Sequence, residues 1–419
     1  MPVTLPQNPQ RGVYEDFISA WLSALGYFIE THVQQRNVLE LDVVGSDFDD
    51  PPRRILFEAK SGGSGFSDLF KVFGWRTYLG IPRGIVVANQ ATDAPTQVLL
   101  AEVATRTNTE TVVIHPTMAL WDSTVRPITA VDPLLRQRLL EAAWHYRIAA
   151  RRAYAAFERV CRSNRDDELF ARARGYDLAV EASFFSGDAS ERITRLYRAF
   201  TDSPNITGEF VARFAGTRNI TIDAAYRQLE NLPDALHIQH VMMLEHRART
   251  LIVRHSLDVT RPTPPVRGRR RERTFWDRLP VSFRDGHQRL HELTFKARIP
   301  YLLQVFTEYF GGMHTQDRDL TLLSQLTDLS RDQVDEALGM LDMFFPGGGA
   351  EWSWRSQSHN GRLTRLKLCP AIARGSGALL HLLGATRRNF AHLDGNRRTL
   401  YQTWHASLVE VVQAQLDER

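Results

Sequence analysis

"VLELDVVGSDFDDPPRRILFEAKSGGSGF", residues 38–66, decides how the chain is read. Two apolar runs flank a turn rich in Gly, Asp and Pro, so "VLELDVV" and "RRILFEAK" predict two strands joined through "GSDFDDPP". Strands this apolar belong in a core, yet each carries an acid: Asp42 in the first and Glu58 in the second, which closes on Lys60. Side chains two apart on a strand share a face, so Glu58 and Lys60 point the same way. Asp42 can meet Glu58 across the ladder. Two carboxylates and an ammonium then converge at one sheet edge. The "SGGSG" that follows lets backbone come close to a ligand.

Outward from this stretch, the elements order themselves. "YEDFISAWLSALGYFI" (14–29) sets Phe17, Ile18, Trp21, Leu22 and Leu25 on one helical face, with Gly26 as the stop. "THVQQ" predicts a short strand. "SDLFKVFGWRTYLG" (67–80) and "APTQVLLAEVATRT" (94–107) predict helices, and "GIVVAN" (84–89) and "TVVIH" (111–115) predict strands. Helix, three strands, helix, strand, helix, strand makes an α/β domain with a mixed sheet over residues 1–125, parallel where a helix crosses over. Strand signals then stop. A helical region is expected over 131–258, opening with the long helix 132–162, then a Pro/Arg-rich linker at 259–274, "TRPTPPVRGRRRER" within it. Residues 275–419 read as a second helical region. Within it, 298–368 gives three helices and a hairpin turning at His359-Asn360-Gly361, the pattern of a winged helix.

Composition bounds the function. The 419 residues suffice for several domains, and 43% apolar with 24% charged residues is ordinary globular usage. A net charge of +4 is compatible with a nucleic-acid partner without demanding one. The two cysteines, Cys161 and Cys369, exclude a disulfide scaffold and an all-cysteine zinc site. "MPVTLPQNPQRGVYEDF" has no apolar signal core, and no run approaches the roughly 18 apolar residues of a membrane span, so a cytoplasmic protein is expected. Neither an internal repeat nor a GxxxxGK[ST] loop occurs.

Phosphodiester cleavage needs a divalent cation, a positioned water and charge neutralisation at the phosphate. Magnesium prefers carboxylate and carbonyl oxygens. Asp42, Glu58 and the Ala59 carbonyl supply such a set for Mg²⁺ or Mn²⁺. Lys60 can orient or deprotonate water, or pair with the phosphate, and Glu15 can add a ligand. An acid on one strand, ExK closing the next and a preceding helix with a glutamate resemble the PD-(D/E)xK nuclease superfamily, the restriction-endonuclease-like fold, over roughly residues 10–120. The phrase "LGYFIETHVQQRNVLELDVVG...ILFEAKS" looks most like its Mrr-type branch. The superfamily's order is αβββαβ, and its site positions match Asp42, Glu58, Lys60 and Glu15, although Leu41 stands where many members have proline. The resemblance implies a metal-dependent nuclease acting on DNA first and RNA second, gated by a partner or ligand, in restriction or anti-phage defence.

Other candidates compete. A salt bridge on a surface strand would also explain Glu58 and Lys60. Asp47, Asp49 and Asp50 lack the spacing of a calcium loop, so a solvated turn is expected. His237, His240 and His246 lack the glutamate of HExxH and read as packed or solvated. In the winged-helix segment, Asp332, Asp335, Glu336 and Asp342 make the third helix a poor reader of DNA, with Ser330 its N-cap. The wing's Arg355, Arg362, Arg365 and Lys367 are the better nucleic-acid candidates. Arg249 with His255, and Arg387 with His392, resemble the HEPN ribonuclease pattern and imply a metal-independent alternative. Arg267, Arg269, Arg270, Arg271 and Arg273 make a solvated tether or a phosphate contact. A non-catalytic nucleic-acid-binding or assembly subunit is the remaining alternative. The helical region is expected to bind a protein partner or a second copy, and no membrane.

Overall fold

A computed structural model describes residues 5–6, 9–35, 39–49, 52–116, 125–131, 133–185, 188–202, 206–221, 225, 235–259, 279–309, 313–315, 318–344, 355–356 and 363–365. The chain divides into two compact units, Met1–Ile148 and Ala149–Arg419. In the first, the order is α1 (Gly12–Ala24), β1 (Phe28–Gln35), β2 (Leu39–Ser46), β3 (Arg54–Lys60), α2 (Phe66–Leu79), β4 (Arg83–Ala88), α3 (Ala94–Thr107) and β5 (Thr109–Val113). The five strands form one sheet in the order β1-β2-β3-β4-β5. The first three run antiparallel, and β3, β4 and β5 run parallel. The parallel pairs are those joined through α2 and α3, because a parallel return needs a crossover.

The core takes in the expected apolar face of α1 and also its other side, with Asp16, Ser19 and Ser23 buried, and continuous runs of β3 and β4. Phe17, Ile18, Trp21 and Leu22 of α1 are buried, as are Ile55, Leu56 and Phe57 of β3 and Ile85, Val86 and Val87 of β4. Gly26 ends α1 with φ +98°, a left-handed conformation that costs a residue with Cβ more. A Cβ on Gly84 would collide with Val72 Cγ1, so glycine lets α2 lie tight on β4. Helix α4 (Pro133–Ser163) runs across the division between the units, and its Trp144 meets Phe17 of α1 edge-on at 6.4 Å. Trp21 heads the largest fully buried side chains. Trp21→Ala should cost about 3–5 kcal/mol by transfer and cavity terms, speeding hydrogen exchange of the β2–β3 amides by roughly 10²–10³. Unchanged exchange would show that α1 does not hold the sheet.

The second unit is mainly helical. After α4 come α5 (Glu168–Glu181), α6 (Ala189–Asp202), α7 (Ile206–Arg218), α8 (Leu236–Ser256), α9 (Val281–Glu292), α10 (Ile299–Glu308), α11 (Arg318–Thr327) and α12 (Arg331–Phe344). Helix α8 is central, packed against α5, α6, α7 and α10. Phe283 of α9 meets Tyr197 of α6 and Phe344 of α12, both edge-on at 5.2 Å. Three short strands, β6 (Met313–Thr315), β7 (Arg355–Ser356) and β8 (Leu363–Arg365), make an antiparallel sheet in the order β6-β8-β7. The linker arginines, the hairpin turn at 359–361 and residues 366–419 of the second helical region lie outside the described residues.

Candidate metal centre between β2 and the end of β3

Strands β2 and β3 pair with Val43 opposite Phe57 and Val44 opposite Leu56. Alternation from Val44 and Leu56 puts Asp42 and Glu58 on one face, one step beyond the last paired residues. Asp42 Oδ2 accepts the Ala59 N–H at 2.8 Å, which fixes its carboxylate beside β3. Glu58 is buried, and its Oε1 lies 2.8 Å from Lys60 Nζ and 2.5 Å from Lys71 Nζ. Lys60 also pairs with Asp68 Oδ1 at 3.2 Å, and Asp68 Oδ2 accepts the Gly65 N–H at 2.9 Å. Glu15 stands in the first turn of α1, and its charge reaches Asp42. The sequence-derived set of Asp42, Glu58, Ala59 and Lys60 is thus brought together, with Glu15 close enough to act on it.

Asp42 is the acid of the site whose charge is least offset. Burial pushes the Asp42 carboxyl up to about 7, the charges of Glu58 and Glu15 push the same way, and the Ala59 N–H and Lys71 only partly offset them. For Lys60 burial pulls downward, but the Glu58 hydrogen bond and the charges of Glu58 and Asp68 outweigh it and hold the ammonium above its ordinary range. Among the described residues no group of three or more His, Cys, Asp or Glu is arranged to hold a metal ion. The acids at the heart of the site are therefore the pair Asp42 and Glu58.

The sign of the Asp42 shift sets a pH dependence. Its folded value of about 7 lies above the ordinary 3.8, so between these the folded chain holds a proton that the unfolded chain lacks. Ionised Asp42 then opposes folding increasingly as pH rises toward 7. Asp42→Asn should flatten stability against pH over that window in urea melts. A cation that requires the ionised form should bind about tenfold more weakly for each pH unit below 7, with one proton released. A flat Mn²⁺ affinity from pH 5.5 to 8 would remove Asp42 from the ligand set.

Sequence reasoning missed Asp68, Lys71 and Asn89. Asp68 and Lys71 stand at i and i+3 on α2, a spacing that shares a helix face, but only the crossover of α2 brings that face to Glu58. Asn89 follows β4, its N–H donating to the Lys60 carbonyl at 3.0 Å and its Nδ2 to the Pro9 carbonyl at 3.4 Å. Its buried Oδ1 has no hydrogen-bond partner among the described residues. Lys60 and Asn89 stand at the carboxyl ends of the parallel strands β3 and β4, the edge where open α/β sheets bind ligands.

One competing reading meets the site itself: Glu58 and Lys60 do form a salt bridge at 2.8 Å, though with Glu58 buried rather than on a surface strand. The other candidates fall elsewhere. Asp47 accepts the Arg53 N–H at 2.8 Å, and Asp47 and Asp49 both pair with the Arg53 side chain, so these acids close a solvated turn. Asp50 lies outside the described residues. On α8, His240 lies 3.3 Å from Asp177 and His237 packs near Phe170 and Phe210. His246 is buried against Thr307, and burial holds it neutral, down to about 3. Arg249 and His255 are 4% and 0% exposed, leaving no surface for a substrate. On α12, Ser330 Oγ accepts the Gln333 N–H at 3.2 Å, the expected N-cap, and Glu336 pairs with Arg289 of α9. Arg355 and Arg365 stand in β7 and β8, while Arg362, Lys367, Arg387, His392 and the linker arginines lie outside the described residues. No described helix is long and apolar enough to cross a membrane. Comparison with models of protein families, with curated proteins and with solved structures finds no match for this chain.

Proposed function

We propose that the first unit is a divalent-metal-dependent nuclease of the PD-(D/E)xK kind, cutting DNA or, as the second choice, RNA. One observation carries this reading: Asp42 and Glu58 share a face beside Lys60, with Asp42 driven to about 7 by burial and by its neighbour's charge. A buried and a half-buried acid brought together in this way fit a cation, which would favour ionisation of both. Asp42, Glu58 and the Ala59 carbonyl would hold Mg²⁺ or Mn²⁺, and the ion would supply Lewis acidity toward water and phosphate. Lys60 is held as an ammonium, so its role is to orient water and to offset charge on the phosphate rather than to take a proton. Glu15 would extend the acidic side of the site. A Cβ at Gly62 or Gly65 would meet nothing within 4 Å, so no internal contact requires glycine there, which suits a loop over which a phosphate backbone lies. The element order α1, β1, β2, β3, α2, β4 is that of the superfamily's core.

A winged helix in the second unit is supported by the order α10, β6, α11, α12, β7, β8 and by the sheet order β6-β8-β7. The Glu336–Arg289 pair engages the acidic α12 within the protein, which favours a structural or protein-contact role for that helix over groove reading. Arg355, Arg362, Arg365 and Lys367 would give the wing its phosphate contacts.

The test is incubation with supercoiled plasmid, linear DNA and RNA in Mg²⁺, Mn²⁺ or EDTA. Metal-dependent cutting is expected. EDTA-resistant cutting of RNA would transfer the activity to a HEPN-type site, and binding without cutting would make the chain a non-catalytic subunit.

A further inference from the structure

Glu58 Oε1 receives two ammonium groups, and their situations differ. Lys60 is on β3, its side chain 30% exposed, and a second acid, Asp68, lies 3.2 Å away. Lys71 is on α2, its side chain 41% exposed, and among the described residues its ion pair is with Glu58 alone, at 2.5 Å. A divalent ion on Glu58 would repel both ammoniums and claim the oxygen that holds them. Lys60 then falls back on Asp68. Among the described residues Lys71 has no second ion pair, only a longer-range pull from Asp42, itself a proposed metal ligand, and its flexible four-carbon stem lets the charge move. A bound nucleic acid would offer that charge a phosphate.

Resting on the nuclease reading above, we propose that Lys71 is a displaceable second cation of this site. It neutralises Glu58 in the metal-free protein, yields that carboxylate to the divalent ion, and turns its ammonium to the substrate phosphate. Lys71 is thus both a competitor of the metal and a contributor to cleavage, a combination that a purely structural ion pair does not have.

The two roles predict opposite changes from one substitution. Lys71→Met removes the competitor. Removing the ammonium that competes for the buried Glu58 carboxylate should let Mn²⁺ bind about 3–10-fold more tightly to the full chain by calorimetry. Cleavage of plasmid or RNA at saturating Mn²⁺ should fall about 100-fold, the loss of one charge-stabilising group. Lys71→Arg keeps the charge and should return Mn²⁺ affinity to the wild-type value. Thermal melting of the metal-free Lys71→Met protein checks that it is folded. Tighter Mn²⁺ binding together with slower cleavage supports the proposal. Unchanged or weaker Mn²⁺ binding by the folded variant overturns it, as does unchanged cleavage. If wild type binds Mn²⁺ and cuts while Lys71→Met behaves identically, only the role of Lys71 falls. If wild type neither binds Mn²⁺ nor cuts, the nuclease reading falls with it.

Discussion

Replacing Glu58 with alanine is expected to abolish cleavage and to weaken Mn²⁺ binding by more than about 100-fold. Outer partners of metal ligands already cost 10–100-fold when removed, and Glu58 would be a ligand itself. The carboxylate is buried, and it anchors Lys60 at 2.8 Å and Lys71 at 2.5 Å. Its loss leaves Asp42 as the one strand carboxylate at the site, with Lys60 held by Asp68 and Lys71 deprived of its ion pair with Glu58. The variant carries its own internal check. Glu58 is the largest charged contributor to the upward shift of Asp42, so without it Asp42 should titrate below about 7, closer to the ordinary carboxylate range. Calorimetry with Mn²⁺ reads the first effect, a plasmid or RNA assay the second, and carboxylate NMR the third. Wild-type cleavage by the Glu58→Ala protein would end the assignment of catalysis to this sheet edge.

Lys60→Ala should also suppress cleavage, by about 10²–10³, through a different loss. Both carboxylates remain, so Mn²⁺ should still bind. It should bind at least as well as to wild type, since an ammonium 2.8 Å from Glu58 has gone. What disappears is a fixed positive charge. Lys60 is held protonated by Glu58 and Asp68, so no base is removed, and the activity that remains should keep the pH profile of the wild type. A profile that instead lost an alkaline limb would identify Lys60 as the proton acceptor. Nucleic-acid binding should survive both substitutions, because most of the affinity for a phosphate backbone comes from many dispersed cations. The pair of variants separates metal holding from charge stabilisation: Glu58→Ala loses both binding and cutting, Lys60→Ala loses cutting alone. Full activity in Lys60→Ala would remove the nuclease assignment from this site.

Much of this fold was legible because its signals are local. The apolar face of α1 with Phe17, Ile18, Trp21, Leu22 and Leu25 follows from a 3.6-residue period, and each is buried, but periodicity did not show that Asp16, Ser19 and Ser23 are buried too. Gly26 stops the helix where its left-handed φ is needed. The strands carrying Asp42 and Glu58 follow from apolar runs around a Pro- and Asp-rich turn, and the same-face placement of the two acids follows from alternation once the turn is granted. The N-cap at Ser330 is equally local. By itself, then, the sequence determined the order of elements in the first unit, its mixed sheet and the pairing of Asp42 with Glu58 and Lys60. Only the tertiary structure decided which distant side chains complete the site. Lys71 and Asp68 reach it because α2 crosses back over the sheet, and Asn89 because β4 pairs with β3 in parallel. The same holds for the state of the acids. A carboxyl's affinity for its proton depends on how much water and how many charges surround it, and for Asp42 that is set by burial and by Glu58 and Glu15, not by its neighbours in the chain. Periodicity is a property of adjacent residues; an electrostatic field is a property of everything the fold brings near.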